Sequence, residues 1–270
     1  MKYKLLLVDI DGTLIGRDGS ISDKDREALA KARQSGIEVC LSTGRVPRAC
    51  LKIIKQLSLD GYHIFFDGAL VSNTNQNEEV YVQPLNKLIV RQAVEFARSN
   101  DTYLELYSAT RYFVEQETWG TDIHRQFFDL EPVVGDLIKV LDQEQIIKAE
   151  LMTSSPAEVA KAKSFYLQFN DRLHFSWVRT PAYPRVDFIN VVDPGVSKGK
   201  ALEALVSHLG ISMTEVMAVG DGTNDIPLLS LAGLAIAMGN APDEVKAAAH
   251  YVTLDVDHSG LAAAIKRFLL

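Results

Sequence analysis

Short apolar runs alternate with helix-period stretches along the first quarter of the chain. Residues 5–8 form a continuous apolar run closed by Asp9 and the turn pair Asp11-Gly12, the pattern of a strand buried on both faces. Ser22 or Asp23 is placed to cap a helix over about 22–35, with Leu29 and Ala32 on its apolar stripe and Gly36 to stop it. A second strand is predicted over 37–41, a second helix from Pro47 to about Leu57, and a third strand over 63–66. The last quarter repeats the rhythm: helices over 198–209, 224–231, 242–249 and 260–269 separate strands over 216–219, 234–237 and 251–253. Strands separated by helices need right-handed crossovers, and therefore a parallel sheet.

The middle of the chain differs. Between about Val82 and Val191 aromatic residues become frequent and the alternation shortens, as in 102–107 and 111–115, which Ser108-Ala109-Thr110 joins as a hairpin. Helical patterns over 87–98 and 156–169 lie among strand-like stretches, with 173–178 and 185–189 closing the segment. The fold class that follows is α/β: a Rossmann-like parallel-sheet core made of 1–82 and 190–270, with an α+β domain inserted over 83–189.

Composition narrows the functions such a fold could serve. A hydrophobic content of 47% and a charged content of 23% are ordinary for a folded protein of 270 residues. A net charge of -7 argues against a nucleic-acid partner, since phosphate backbones attract clustered Lys and Arg. It does not exclude a small phosphorylated metabolite, provided a cation and a few basic groups are focused in one cleft. Cys40 and Cys50 read as buried thiols, not as a disulfide framework or metal ligands. The apolar run near the N-terminus is too short for a signal peptide and no run is long enough to cross a bilayer, so the expectation is a cytoplasmic protein with no membrane partner. Nothing in the sequence fixes an oligomeric state.

Ligands of open parallel sheets bind beyond the carboxyl ends of the strands. Those ends carry Asp9-Ile10-Asp11-Gly12-Thr13, Ser42-Thr43-Gly44-Arg45, Ser197-Lys198-Gly199 and Gly220-Asp221-Gly222-Thr223-Asn224-Asp225. Four acidic side chains, a threonine and a lysine are thus expected on one rim. Clustered carboxylates repel unless a cation intervenes, and Mg2+ takes oxygen ligands from one or two carboxylates plus substrate phosphate. A carboxylate nucleophile can form an aspartyl-phosphate, a second carboxylate can protonate the leaving oxygen and later deprotonate water, and hydroxyl, ammonium and N–H groups can hold the equatorial oxygens.

In this order, these four motifs resemble those of the haloacid-dehalogenase superfamily, and the long insertion between the second and third resembles its Cof-type, class IIB branch, in which the inserted domain is a cap. The resemblance covers the whole chain. It implies Asp9 as nucleophile and metal ligand, and Asp11 as general acid/base that lends its backbone carbonyl to the metal. It implies Thr43, Lys198, Gly12, Gly44 and Asn224 as phosphate-binding, Asp221 as metal ligand and Asp225 as support. Members that dehalogenate lack an acid at the position of Asp11, so phosphate chemistry is implied. Arg45, Arg179, Tyr183 and Arg185 are candidate substrate groups, as polar residues near motif or cap-loop boundaries. One position departs from the Cof-type pattern, which usually carries Asn-Gly-Ala after the third strand. Here it is Asp67-Gly68-Ala69, a carboxylate that would repel an anion.

The implied activity is a magnesium-dependent phosphatase of small organic phosphate monoesters, a sugar phosphate or a phosphorylated cofactor. A phosphomutase with the same nucleophile and a non-catalytic phosphate-binding regulatory protein are the alternatives. Gly195-Val196-Ser197-Lys198-Gly199 also matches a Gly-x-Ser-x-Gly nucleophile elbow, with His250 and His258 downstream, but no oxyanion segment precedes it. That reading leaves the aspartate clusters unexplained, and Ser197 is expected instead to cap the helix that presents Lys198.

Overall fold

The structure, a computed structural model, describes residues 2–128, 130–180 and 183–270. The chain divides into two compact units: residues 2–45, 50–81 and 197–270 make the first, and 46–49 and 82–196 the second.

The first unit is built on a five-stranded parallel sheet in the order Tyr251–Val252, Leu234–Ala237, Val216–Gly220, Leu5–Val8, Glu38–Leu41. Leu5 pairs with Val216 on one side and Glu38 on the other, so the N-terminal strand sits between its nearest successor and a strand some 200 residues later. All four of its residues are buried, as befits a strand covered by helices on both faces. The order reverses on either side of it, and the crevice at such a switch point is where open α/β sheets bind ligands. Asp9 follows this strand directly.

Capping sets the flanking helices. Ser22 accepts the N–H of Asp25 at the start of helix Asp23–Gln34, and Ser197 accepts that of Lys200 at the start of helix Lys198–Leu209. The helix predicted over 224–231 is broken. Thr223–Asp225 forms a 3₁₀ turn and only Ile226–Leu231 is α-helical, because the Asp225 carboxylate folds back onto the N–H groups of Asp221 and Gly222. A smaller three-stranded sheet of His63–Phe65, Leu70–Asn73 and Glu78–Val82, the first two antiparallel, extends the strand run predicted at 63–66.

The second unit carries a six-stranded sheet, ordered His174–Thr180, Tyr183–Val192, Lys148–Thr153, Glu105–Tyr107, Tyr112–Val114, Val133–Val134. The hairpin predicted around Ser108–Thr110 is present, with Leu106 opposite Phe113. Helices Lys87–Ser99 and Pro156–Phe169 bury Val94, Phe165 and Phe169 with Leu106, Leu151 and Ile189 of the sheet. Strand Tyr183–Val192 pairs Val191 with Ala149, so the boundary expected at 190 falls inside a strand and the second unit runs on to Val196. No helix of the described residues is long and apolar enough to cross a membrane.

Candidate active site

Lys198 organises the rim of the first unit. Its ammonium is fully buried and donates to Asp9 Oδ1 at 2.7 Å, Asp225 Oδ1 at 2.6 Å and the Ser42 carbonyl at 3.0 Å. An ammonium has three donors, so this environment saturates it and fixes Asp9 in one orientation. Asp225 Oδ2 accepts the N–H groups of Asp221 at 3.1 Å and Gly222 at 2.9 Å. Both oxygens of Asp225 are therefore engaged, whereas Asp9 Oδ2 accepts no hydrogen bond among the described residues.

Asp221 is held from two sides. Thr13 donates its hydroxyl to Oδ1 at 3.0 Å, and Asn240 donates to Oδ2 at 3.1 Å and to the Gly12 carbonyl at 2.9 Å. Asn240 is fixed in turn by accepting the N–H of Val256 at 2.9 Å. Gly12 has φ +89°, and a Cβ there would stand 2.2 Å from Asp221 Oδ2, so only glycine lets the first motif approach the fourth this closely.

Three carboxylates face one ammonium, and the excess negative charge shows in their titration. Burial pushes Asp9 well above the usual carboxylate range; Lys198 opposes this, and Asp225 and Asp221 add to it. Burial likewise raises Asp221, to about 6, against the stabilising bond from Thr13. Burial alone would lower Lys198, but the carboxylates of Asp225 and Asp9 outweigh it and hold the ammonium charged. Oxygens of Asp9, Asp221 and Asp225 lie within 4.8 Å of one another, and with all three ionised the cluster carries a charge of −2 after Lys198 is counted. A divalent cation cancels that charge, and an all-oxygen donor set suits magnesium. Asp9 and Asp221 could hold such an ion; Asp225, with both oxygens engaged, anchors Lys198 and the loop.

The Asp11 side chain is 60% exposed and lies in a bidentate pair with Arg45, Nε to Oδ2 at 2.8 Å and Nη2 to Oδ1 at 2.5 Å. Arg45, expected among the substrate groups, is thus held on the expected acid/base. Thr43 is buried, and its hydroxyl accepts the N–H of Arg45 at 3.1 Å. Asp67 Oδ1 accepts from the Asn224 amide at 2.7 Å, and both carboxylate oxygens lie 2.9 Å from where a Cβ on Gly44 would stand. Phe66 and Asp67 adopt φ +51° and +56°, left-handed backbone that costs a non-glycine residue about 1–2 kcal/mol each. Gly68 follows at φ +105°, packed so that a Cβ would stand 2.3 Å from the Ser197 carbonyl oxygen.

Arg179, Tyr183 and Arg185 belong to the second unit. Arg179 is ion-paired with Asp187. Arg179 and Arg185 line a cavity of about 440 Å³ there, together with Lys163, Ser155 and Asp187. Sequence reasoning overlooked Asn240, gave Thr13 no role of its own and could not see the Ser42 carbonyl. Asn240 was within reach, because it follows the parallel strand Leu234–Ala237 just as Asp9 follows its own.

The sequence of this chain is similar to those of other proteins over nearly its full length. A family model described as haloacid dehalogenase-like hydrolase matches residues 6–265. The 5-amino-6-(5-phospho-D-ribitylamino)uracil phosphatase YcsE of Bacillus subtilis is 28% identical, with 99% of this chain and 96% of that protein covered. The chloroplastic endoribonuclease YBEY of Arabidopsis thaliana is 29% identical over 99% of this chain, which spans only 47% of that protein. Among solved structures, a subclass IIB sugar phosphatase of the haloacid dehalogenase superfamily superposes with a TM-score of 0.79 at 26% identity, covering 99% of this chain and 100% of the other. The chain belongs to the haloacid dehalogenase-like hydrolases. Within that family, the relative YcsE and the superposed structure are both named as phosphatases.

Proposed function

We propose that the protein is a magnesium-dependent phosphatase of small organic phosphate monoesters, sugar phosphates or phosphorylated cofactors, that works through an aspartyl-phosphate on Asp9. The observation that carries this reading is the fixed Asp9: Lys198 holds Oδ1 at 2.7 Å and leaves Oδ2 free to attack phosphorus. The substrate class draws on relatives. YcsE is named for a phosphoribityl compound and the superposed structure is a sugar phosphatase.

In the first step an Asp9 oxygen bonds to phosphorus as the bond to the leaving oxygen breaks, and Asp11 gives that oxygen its proton. In the second, water loses a proton to Asp11 and attacks phosphorus, the Asp9–phosphorus bond breaks and phosphate leaves. Asp11 serves both steps only after Arg45 releases it, and the incoming phosphate dianion is a competing partner for the same guanidinium. Thr43, the backbone N–H of Gly44 and the Asn224 amide are the groups available to the equatorial oxygens, whereas the Gly12 N–H is given to the Ile15 carbonyl and Lys198 reaches them only by releasing one of its three acceptors. Magnesium, bound by Asp9, Asp221 and the backbone carbonyl of Asp11, would neutralise charge on the transferring group.

Asp9→Asn tests the reading. On a panel of sugar phosphates and phosphorylated cofactors with magnesium, kcat is expected to fall by about 10⁴-fold or more, and acid-quenched wild-type enzyme to retain base-labile phosphate that the variant lacks. Full activity in the variant would remove Asp9 from the mechanism.

A further inference from the structure

We propose that Glu105, His124 and Glu150 form a second metal site, within the inserted unit, for a divalent ion of the zinc class. Glu105 and Glu150 are directly opposite each other on neighbouring strands, and His124 comes from helix Trp119–Phe128. Their exposures are 0%, 2% and 3% for Glu105, His124 and Glu150, so two like charges sit buried side by side, an arrangement that destabilises a sheet unless something binds them.

The hydrogen bonds show where that binding is incomplete. Glu105 Oε1 accepts from Tyr103 at 2.5 Å, and Oε2 accepts from Tyr107 and lies 2.9 Å from His124 Nε2. Glu150 gives Oε2 to Lys148, but its Oε1 is buried with no hydrogen-bond partner among the described residues, 3.6 Å from the same His124 Nε2. A buried carboxylate oxygen without a donor needs an explanation. A proton on His124 answers the charge but not the geometry, because one N–H directed at Glu105 leaves Glu150 Oε1 beyond hydrogen-bond reach.

A cation between the three donors serves all of them. Tetrahedral zinc with bonds of about 2.0–2.1 Å sets its donors roughly 3.3 Å apart, and the separations of 2.9 and 3.6 Å from His124 Nε2 lie on either side of that. One nitrogen and two oxygens with a fourth position open is a zinc-type set, unlike the all-oxygen cluster at Asp9. Tyr103 and Lys148, on the outer oxygens, would orient the two carboxylates as outer partners do around metal ligands.

Equilibrium dialysis of the chelator-stripped full chain against zinc chloride, in excess magnesium, tests this by elemental analysis. One zinc per chain is expected in the wild type and in Asp221→Asn, with retention at least about tenfold weaker in His124→Gln and Glu150→Gln. Glu150→Gln is nearly isosteric and still accepts from Lys148, so it decides the matter if His124→Gln does not fold; circular dichroism verifies the fold of each. Unchanged zinc retention in folded Glu150→Gln, or no zinc in the wild type, would leave a protonated His124 as the occupant and overturn the proposal.

Discussion

The residues proposed to act with Asp9 are held by others that carry no proposed role in the reaction. Asn240 ties the Gly12 carbonyl to Asp221, so it sets the distance between the first and fourth motifs. Asn240→Ala is expected to raise the magnesium concentration for half-maximal activity by about 10–100-fold, with kcat largely recovered at saturating magnesium. A metal titration of activity measures it, and an unchanged half-saturation point would show that Asn240 does not position the ligand. Asp11→Asn removes the proposed proton carrier and is expected to lower kcat by about 10²–10⁴-fold while magnesium binding persists. Asp67 is a different matter. Its carboxylate bonds to Asn224 and adds to the field that keeps Lys198 charged, so Asp67→Asn, which removes a negative charge at the rim, is expected to lower KM for a phosphate dianion severalfold. A rise in KM would mean that its hold on Asn224 matters more than its charge.

At the scale of elements, His63 adds a side-chain bond to the backbone bridge between Ser42 and Ile64 that joins the small sheet to the large one. Its Nδ1 accepts the N–H of Leu41 at 3.1 Å, so the neutral ring closes a backbone bond between strands His63–Phe65 and Glu38–Leu41. Burial lowers its pKa to about 4, and protonation would also replace the acceptor with a donor facing another N–H. Below about 6.5 the unfolded chain takes up a proton that the folded chain refuses, so this contribution is whole above 6.5 and declines as pH falls towards 4. The loss is on the order of 2–3 kcal/mol once the lower value is reached. Urea midpoints of the wild type should fall over that window, and more steeply than those of His63→Asn, whose side-chain oxygen can accept the same bond without titrating. Equal slopes would place the acid sensitivity elsewhere.

For the molecule as a whole, the ligands proposed for magnesium come from the two ends of the chain, at Asp9 and Asp221, on neighbouring strands of one sheet. Binding there links segments that the chain separates by the entire second unit, so magnesium should stabilise the parallel-sheet core. At a hundredfold excess over its Kd the gain is about 2.7 kcal/mol. A thermal melt with and without chelator reads this as a shift in Tm that Asp221→Asn should abolish. A shift of equal size in the variant would assign the stabilisation to another site.

The sequence by itself determined the parallel-sheet rhythm and the residues at the strand ends, because both are local. A continuous apolar run predicts a buried strand, and the polar residues that follow it are adjacent in the chain. Asp9, Lys198, Asp221 and Asp225 were legible for that reason, and the hairpin at Ser108–Thr110 was legible from its alternation. What tertiary structure decided is pairing between distant segments. The Lys198 ammonium bridges Asp9 and Asp225, the Asn240 amide joins Gly12 to Asp221, and Arg45 engages Asp11. Strand Lys148–Thr153 and helix Trp119–Phe128 were missed, since Lys148, Glu150 and His124 interrupt the apolar pattern with charges that are buried only because they meet one another. Local pattern reports what faces water or core; it does not report which polar group will satisfy another across the fold.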